Sequence, residues 1–248
     1  MSRSFADARG WMQHGTALFM SQTDLGDRAL GEPSALPGWS RRHVLAHVAA
    51  NADALGNLIR WAATGEPTPM YASPADRAAG IERGSRLPAR DLRAWLRRSA
   101  DALEEAMTRL SDEQWQACVQ TAQGRTVPAT EVPWMRSREV YVHAVDLATG
   151  LSFADLPAGF LTALCDDVTG KRSKDPGPAL VLAATDTGGQ WKLPGTGEAV
   201  TLAGPLAEIT AYLTGRAHRL TTAGGETVVT EIEGLGRLEN RVTQQDSP

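Results

Sequence analysis

Two short stretches of this 248-residue chain hold side chains from which a metal site can be built. His43 and His47 stand four apart in HVLAH, and Glu139 and His143 stand four apart in EVYVH. Residues four apart lie one above the other on a helix face. Zinc accepts imidazole nitrogen and carboxylate oxygen. A catalytic zinc takes three protein ligands, for instance two His and one Glu, and keeps a further position open. The competing reading is a weak pair on a solvated helix surface. The neighbours favour the metal: Val140, Val142, Ala144, Val145 and Leu147 make the second stretch apolar on most sides, and Leu45, Ala46, Val48 and Ala49 frame His47. A carboxylate drawn into such surroundings needs a partner or a cation. Spacing leaves both His43 and His47 open as the ligand from the first stretch. Arg41 and Arg42 beside His43, near the helix start, favour a solvated role for it.

The elements that must position these groups are helices. A loose apolar stripe (Trp11, Ala17, Leu18, Met20, Leu25, Leu30) predicts a helix over about Phe5 to Leu30. GEPSALPGWS then breaks the pattern with Pro and Gly, and Ser40 is a good N-cap for a long helix running to about Ala63. Its stripe is Val44, Leu45, Val48, Leu55, Leu58 and Ile59. TGEPTPMYASP predicts a loop, and Pro88 to Leu110 a third helix with Leu92, Trp95, Leu96, Leu103 and Met107 on one face. TAQGRTVPATEVP reads as a link, after which Pro133 opens a fourth helix through Ala148 that stops at Gly150. Four long helices with substantial links predict a four-helix bundle. Beyond about residue 150 the pattern changes. A helix from Pro157 to about Gly170, a polar KRSKDPGPA junction, strands in ALVLAATD, QWKL and AVTLAG, and a helix from Pro205 to Thr214 predict a smaller α+β unit. The last segment is Gly-rich, with a frayed TQQDSP end. The expected domains are therefore 1–153 and 154–248.

Composition narrows the function classes. A net charge of −4 provides no basic field for nucleic acid. No stretch has the long uncharged apolar run of a membrane span, and MSRSFADARGWMQHG lacks the apolar core of a secretory signal. Cys118 and Cys165 form no spaced pattern; they are expected to be small buried hydrophobes in a chain of the reducing cytoplasm. A soluble monomer or small homo-oligomer is expected.

LPGWSRRHVLAHVAANADALGNLIRWAATGEPTPMY and TAQGRTVPATEVPWMRSREVYVHAVDL closely resemble the mycothiol-dependent maleylpyruvate isomerases, whose broader relatives share a DinB-like N-terminal metal-binding domain. The likeness spans nearly all of the first 150 residues, and AVTLAGPLAEITAYLTGR resembles the family's C-terminal part more loosely. The resemblance implies a DinB-like four-helix bundle followed by a small α+β domain. It implies a divalent metal, normally zinc, on His47, Glu139 and His143, and so selects His47 over His43. It also implies an active arginine from the C-terminal domain, Arg216 in LTGR, with Arg219 as a nearby competitor.

The implied reaction turns maleylpyruvate into fumarylpyruvate in gentisate breakdown. A double bond does not rotate freely, whereas the single bond left after thiolate addition does, and expulsion of the thiolate restores the alkene in trans form. A free thiol with pKa near ~8.5 is mostly protonated at neutral pH, and a cation that coordinates it removes the proton. An arginine fork such as that of Arg216 matches a carboxylate of the dianionic substrate or a developing enolate. Its bland role is a solvated cation after a helix end.

Further residues are open at this level. Arg125, Arg136 and Arg138 could meet an anionic ligand or be surface charge. Asp146, three after His143, could orient that ring or be a surface acid. Trp39, Trp61 and Trp134 could wall a groove or fill the core, and Asn51 lies one turn after His47. Two other functions fit the same ligands: a mycothiol S-transferase for another electrophile, and a non-catalytic metal-binding module.

Overall fold

The structure, a computed structural model, describes residues 3–172 and 177–222. The chain forms two compact units, one of Arg3–Gly150 and one from Leu151 onward.

The first unit is helical. α1 (Phe5–Ser21) begins at Ser4, whose hydroxyl accepts from the Asp7 amide at 3.1 Å while the Asp7 carboxylate accepts from the Ser4 amide at 2.9 Å. This reciprocal cap satisfies two of the helix's unpaired donors. The stripe expected to continue to Leu30 ends at Ser21, and a separate short α2 (Asp27–Leu30) follows. α3 (Arg41–Thr64) starts after Ser40 as expected and ends at Gly65, whose positive φ of 75° suits a residue without Cβ and lets its amide reach Trp61 O at 2.8 Å. α3 is the axis of the core: Val44, Leu45, Val48, Leu55 and Leu58 are fully buried, each stabilising the fold by about 1.5–3 kcal/mol on burial.

α4 (Pro74–Ser85) follows, then α5 (Ala89–Thr108), a short α6 (Asp112–Trp115) and α7 (Val132–Asp146). α1 packs on α7, and α3 packs on α4, α5 and α7, so α1, α3, α5 and α7 make the expected four-helix bundle. Two glycines allow close approach. A Cβ on Gly15 would stand 2.7 Å from Val140 Cγ2, and one on Gly84 would stand 2.6 Å from the Trp95 ring and 2.8 Å from Ala46 Cβ. Gly84 thus lets α4 lie directly against α3.

Elements of this unit that were not expected are α4, the short α6 and a hairpin before α7. α4 follows the TGEPTPMYASP loop, started by Ser73 capping Asp76 N at 3.0 Å and by Pro74 in the first turn. The link before α7 contains an antiparallel hairpin, β1 (Cys118–Gln120) with β2 (Thr126–Pro128), turned at Gly124 with φ 77°. Three-residue strands are too short to show an alternation against that background.

In the second unit α8 (Ala158–Arg172) precedes β3 (Pro178–Ala184), β4 (Gln190–Leu193), β5 (Thr196–Gly204), α9 (Leu206–Leu213) and β6 (Thr221–Thr222). The sheet order is β4-β3-β5-β6, with β3 and β5 parallel and the other pairs antiparallel. Only Pro194 and Gly195 join β4 to β5 across the end of β3, and a Cβ on Gly195 would fall 2.2 Å from Gly177 O, so glycine is required there. This is the α+β architecture the sequence predicts. The junction over 173–176 and the Gly-rich C-terminal segment from 223 lie outside the described residues. Among the described residues no helix is long and apolar enough to cross a membrane.

Candidate metal centre

His47 sits two turns into α3, and the residue is 4% exposed. Glu139 and His143 project one turn apart from α7, which packs on α3. The three side chains, separated by 92 residues of sequence, meet. Glu139 Oε2 lies 2.8 Å from His47 Nε2 and 3.4 Å from His143 Nε2. The two imidazoles are edge to face with centroids 4.7 Å apart. One ligand atom from each residue falls within 4.8 Å of the others. Two imidazole nitrogens and a carboxylate oxygen that already converge in this way suit zinc, which binds both atom types at about 2.0–2.2 Å.

His43 faces elsewhere. Its Nδ1 accepts from the Ser40 amide at 3.2 Å, and its Nε2 is 3.3 Å from Glu82. The ring closes the helix cap, which explains a histidine at that position without a ligand role. The indole of Trp39 stacks on His43 and meets the His47 ring edge-on at 5.7 Å.

Asp146 is fully buried and its Oδ2 is 2.8 Å from His143 Nδ1, so of its two readings the orienting acceptor is the one its geometry matches. Such a carboxylate holds the ring with Nε2 toward the cluster. Electrostatics follow from these contacts. Burial alone would depress His143, but hydrogen bonds to Asp146 and Glu139 outweigh it and lift the ring to about 9. Burial pushes His47 below the ordinary imidazole value despite the pull of Glu139. Burial would raise Glu139, yet the pull of His47, the hydrogen bonds from both rings and the charge on His143 hold it well below the usual carboxylate range. At neutral pH and without a cation, the cluster is an ionised carboxylate between a charged His143 and a neutral His47.

A cavity of about 610 Å³ opens at the cluster. Its lining includes His47, Asn51, Arg138 and Glu139, Tyr71 and Arg77, and Gln120 and Gln123 of the hairpin. Arg136, read as a ligand contact or a surface charge, is not a surface charge: it is 1% exposed and donates to Val48 O at 2.7 Å and Asn51 Oδ1 at 2.9 Å, with burial lowering it to about 10. It braces α7 against α3 beside the cluster. Arg125 is exposed and does not line this cavity. Trp134 is buried against Trp11 and Arg3, and Trp61 packs on the bundle core, so neither walls the cavity. Cys165 is buried and pushed up to about 12, as a small hydrophobe should be; Cys118, expected to be buried too, is exposed at the edge of the hairpin.

Sequence reading missed Arg77 and Tyr71. Arg77 belongs to the unanticipated α4, and its Nη2 reaches His47 Nδ1 at 3.3 Å. The signal was available in the SPADR cap, Ser73 then Pro74 then Asp76.

Arg216 belongs to the second unit. It follows Gly215, whose φ of 75° ends α9; its amide donates to Ala211 O at 2.8 Å and its guanidinium to Thr214 O. Arg219 is exposed, and its amide donates to Glu208.

Fold and cluster together define a helical-bundle protein with two histidines and one glutamate converging at a cavity, a ligand set of the kind that can hold a cation. The family model of the mycothiol maleylpyruvate isomerase N-terminal domain matches residues 15–148, and the chain belongs to this family. Among solved structures it is similar to the crystal structure of the mycothiol-dependent maleylpyruvate isomerase, at 40% identity and a TM-score of 0.86 over 91% of this chain and 95% of that one. A histidine-to-alanine mutant of that enzyme matches at 38% identity with the same TM-score and coverage. Comparison with curated protein sequences gives no significant match.

Proposed function

We propose that this protein is a mycothiol-dependent cis–trans isomerase converting maleylpyruvate to fumarylpyruvate, with a divalent cation, zinc, held by His47, Glu139 and His143. The observation that carries the reading is the convergence of those three side chains within 4.8 Å at a polar cavity, in a chain 40% identical to an isomerase of that name.

A divalent cation held by His47, Glu139 and His143 would supply Lewis acidity that keeps a thiol ionised, and such a thiolate is a nucleophile whose reversible addition would free the substrate's central bond to rotate. The protein's own groups do the rest. Asp146, accepting from His143 Nδ1, fixes the ring and makes Nε2 a stronger donor. Glu139 adds negative charge, which tempers the acidity of the cation and preserves nucleophilicity. Arg136 holds Asn51 and the α3 backbone at the cavity's edge. Arg216 orients a substrate carboxylate or meets the charge that develops on the carbonyl oxygen. The same reading assigns the protein to gentisate breakdown in the cytoplasm.

The test is maleylpyruvate turnover with and without mycothiol, alongside metal analysis. Mycothiol-dependent formation of fumarylpyruvate is expected. Accumulation of a thiol conjugate would indicate an S-transferase, and a fully metal-loaded protein without turnover would indicate a binding module.

A further inference from the structure

The contact between Arg77 and His47 conflicts with metal binding. A guanidinium has only N–H groups to offer, so the 3.3 Å approach of Arg77 Nη2 makes His47 Nδ1 the acceptor. The ring proton is then on Nε2, where it points at Glu139 Oε2, 2.8 Å away. A cation needs the Nε2 lone pair, which puts the ring proton on Nδ1. Arg77 and His47 would then present a donor to a donor, and the guanidinium would also face a cation across one imidazole. Arg77 therefore has to leave His47 when the site fills.

Its destination is set by where α4 places it. Ser73 and Pro74 start the helix at the cavity's rim, Gly84 lets α4 close on α3, and Arg77 lies on the cavity wall beside Tyr71, its guanidinium 5.9 Å from that ring's centroid. Released into a space of about 610 Å³ that Arg138 also lines, it is a two-point donor, and the two carboxylates of α4 are engaged elsewhere, Asp76 with Ser73 and Glu82 with Arg86 and His43. The cavity lining contains a single acidic residue, Glu139, which belongs to the metal cluster. A small dianion has the complementary charge.

We propose that Arg77 is an anion-binding residue of this cavity, in contact with His47 Nδ1 while that ring carries its proton on Nε2 and transferring to a carboxylate of the ligand when a cation occupies His47. The inference rests on the metal reading above and adds a second arginine, from the bundle itself, to substrate recognition.

The experiment uses the full chain and the variant Arg77→Gln, with unchanged helical circular dichroism as the check on folding. Zinc affinity is measured by chelator competition without any anion, and the affinity of the zinc-loaded protein for maleate by calorimetry. Removing the competing donor and the like charge should tighten zinc binding roughly three- to tenfold. Maleate binding should weaken by about tenfold or more, because a charged hydrogen bond is lost. Zinc affinity that is unchanged or weaker in the variant would overturn the resting contact, and unchanged maleate affinity would overturn the anion role. Neither titration involves turnover. A protein that passes both but does not isomerise maleylpyruvate loses the functional reading and keeps this one; an active isomerase in which Arg77→Gln binds maleate normally loses only this one.

Discussion

Loading the cluster with a divalent cation should release one proton near neutral pH. The number follows from the three ligands taken separately. Glu139 is held well below the usual carboxylate range and is already ionised. His47 is depressed and already neutral, so moving its ring proton from Nε2 to Nδ1 releases nothing. His143, lifted to about 9 by Asp146 and Glu139, carries the one proton that the cation must displace. Near pH 7 that proton is bound about two pH units below its midpoint, so metal affinity should rise roughly 100-fold, ~3 kcal/mol, between pH 7 and the plateau above 9. The sign is set by the raised value: affinity increases with pH and the increase ends near 9. Calorimetric zinc titrations at pH 6.5, in two buffers of different ionisation enthalpy, count the proton below the region near 7 where water on a bound zinc ionises. Asp146→Asn keeps an acceptor at Nδ1 but removes its charge, so the count should fall below one. A count near two would mean that His47 is also charged, and a count near zero that His143 is neutral; either would refute the charge assignment.

His47→Ala or His143→Ala should lower metal content and abolish turnover; a His47→Ala protein with full zinc and normal activity would make the ligand set wrong. Arg216→Ala should keep metal and fold yet lose most turnover, and an effect seen only with Arg219→Ala would shift the role by one helical turn. Gly84→Ala places a methyl 2.6 Å from the Trp95 ring and 2.8 Å from Ala46 Cβ, so it should destabilise the protein by about 1–3 kcal/mol in denaturant unfolding.

The parts of the fold that were legible carry strong local signals. Ser40 before α3 and Pro133 in the first turn of α7 mark helix starts through local chemistry that needs no tertiary context. The 3.6-residue stripe of Val44, Leu45, Val48, Leu55 and Leu58 marks a buried face. α4 escaped because its sequence, PADRAAGIERGS, has a weak apolar stripe; only Ile81, Gly84 and Ser85 are buried, and it is held by packing on α3 through a glycine. The hairpin escaped because each strand has three residues. Cys118 was misjudged because residue type sets an average burial, whereas a short edge strand turns alternate side chains outward.

The sequence by itself determined the inventory: two imidazole-bearing helices, one with a carboxylate a turn away, an apolar setting for each, and a likeness specific enough to choose His47 over His43. Tertiary structure decided what those groups meet. His43 is drawn into its own helix cap, Asp146 is sealed against His143, Arg136 is sunk between α3 and α7, and Arg77 arrives at His47 from a helix that local patterns did not reveal. The division has a physical cause. Caps and periodicity are interactions within a few residues, and the chain displays them directly. The meeting of His47 with Glu139 joins positions 92 apart and depends on how whole helix faces pack, which no short window of sequence contains.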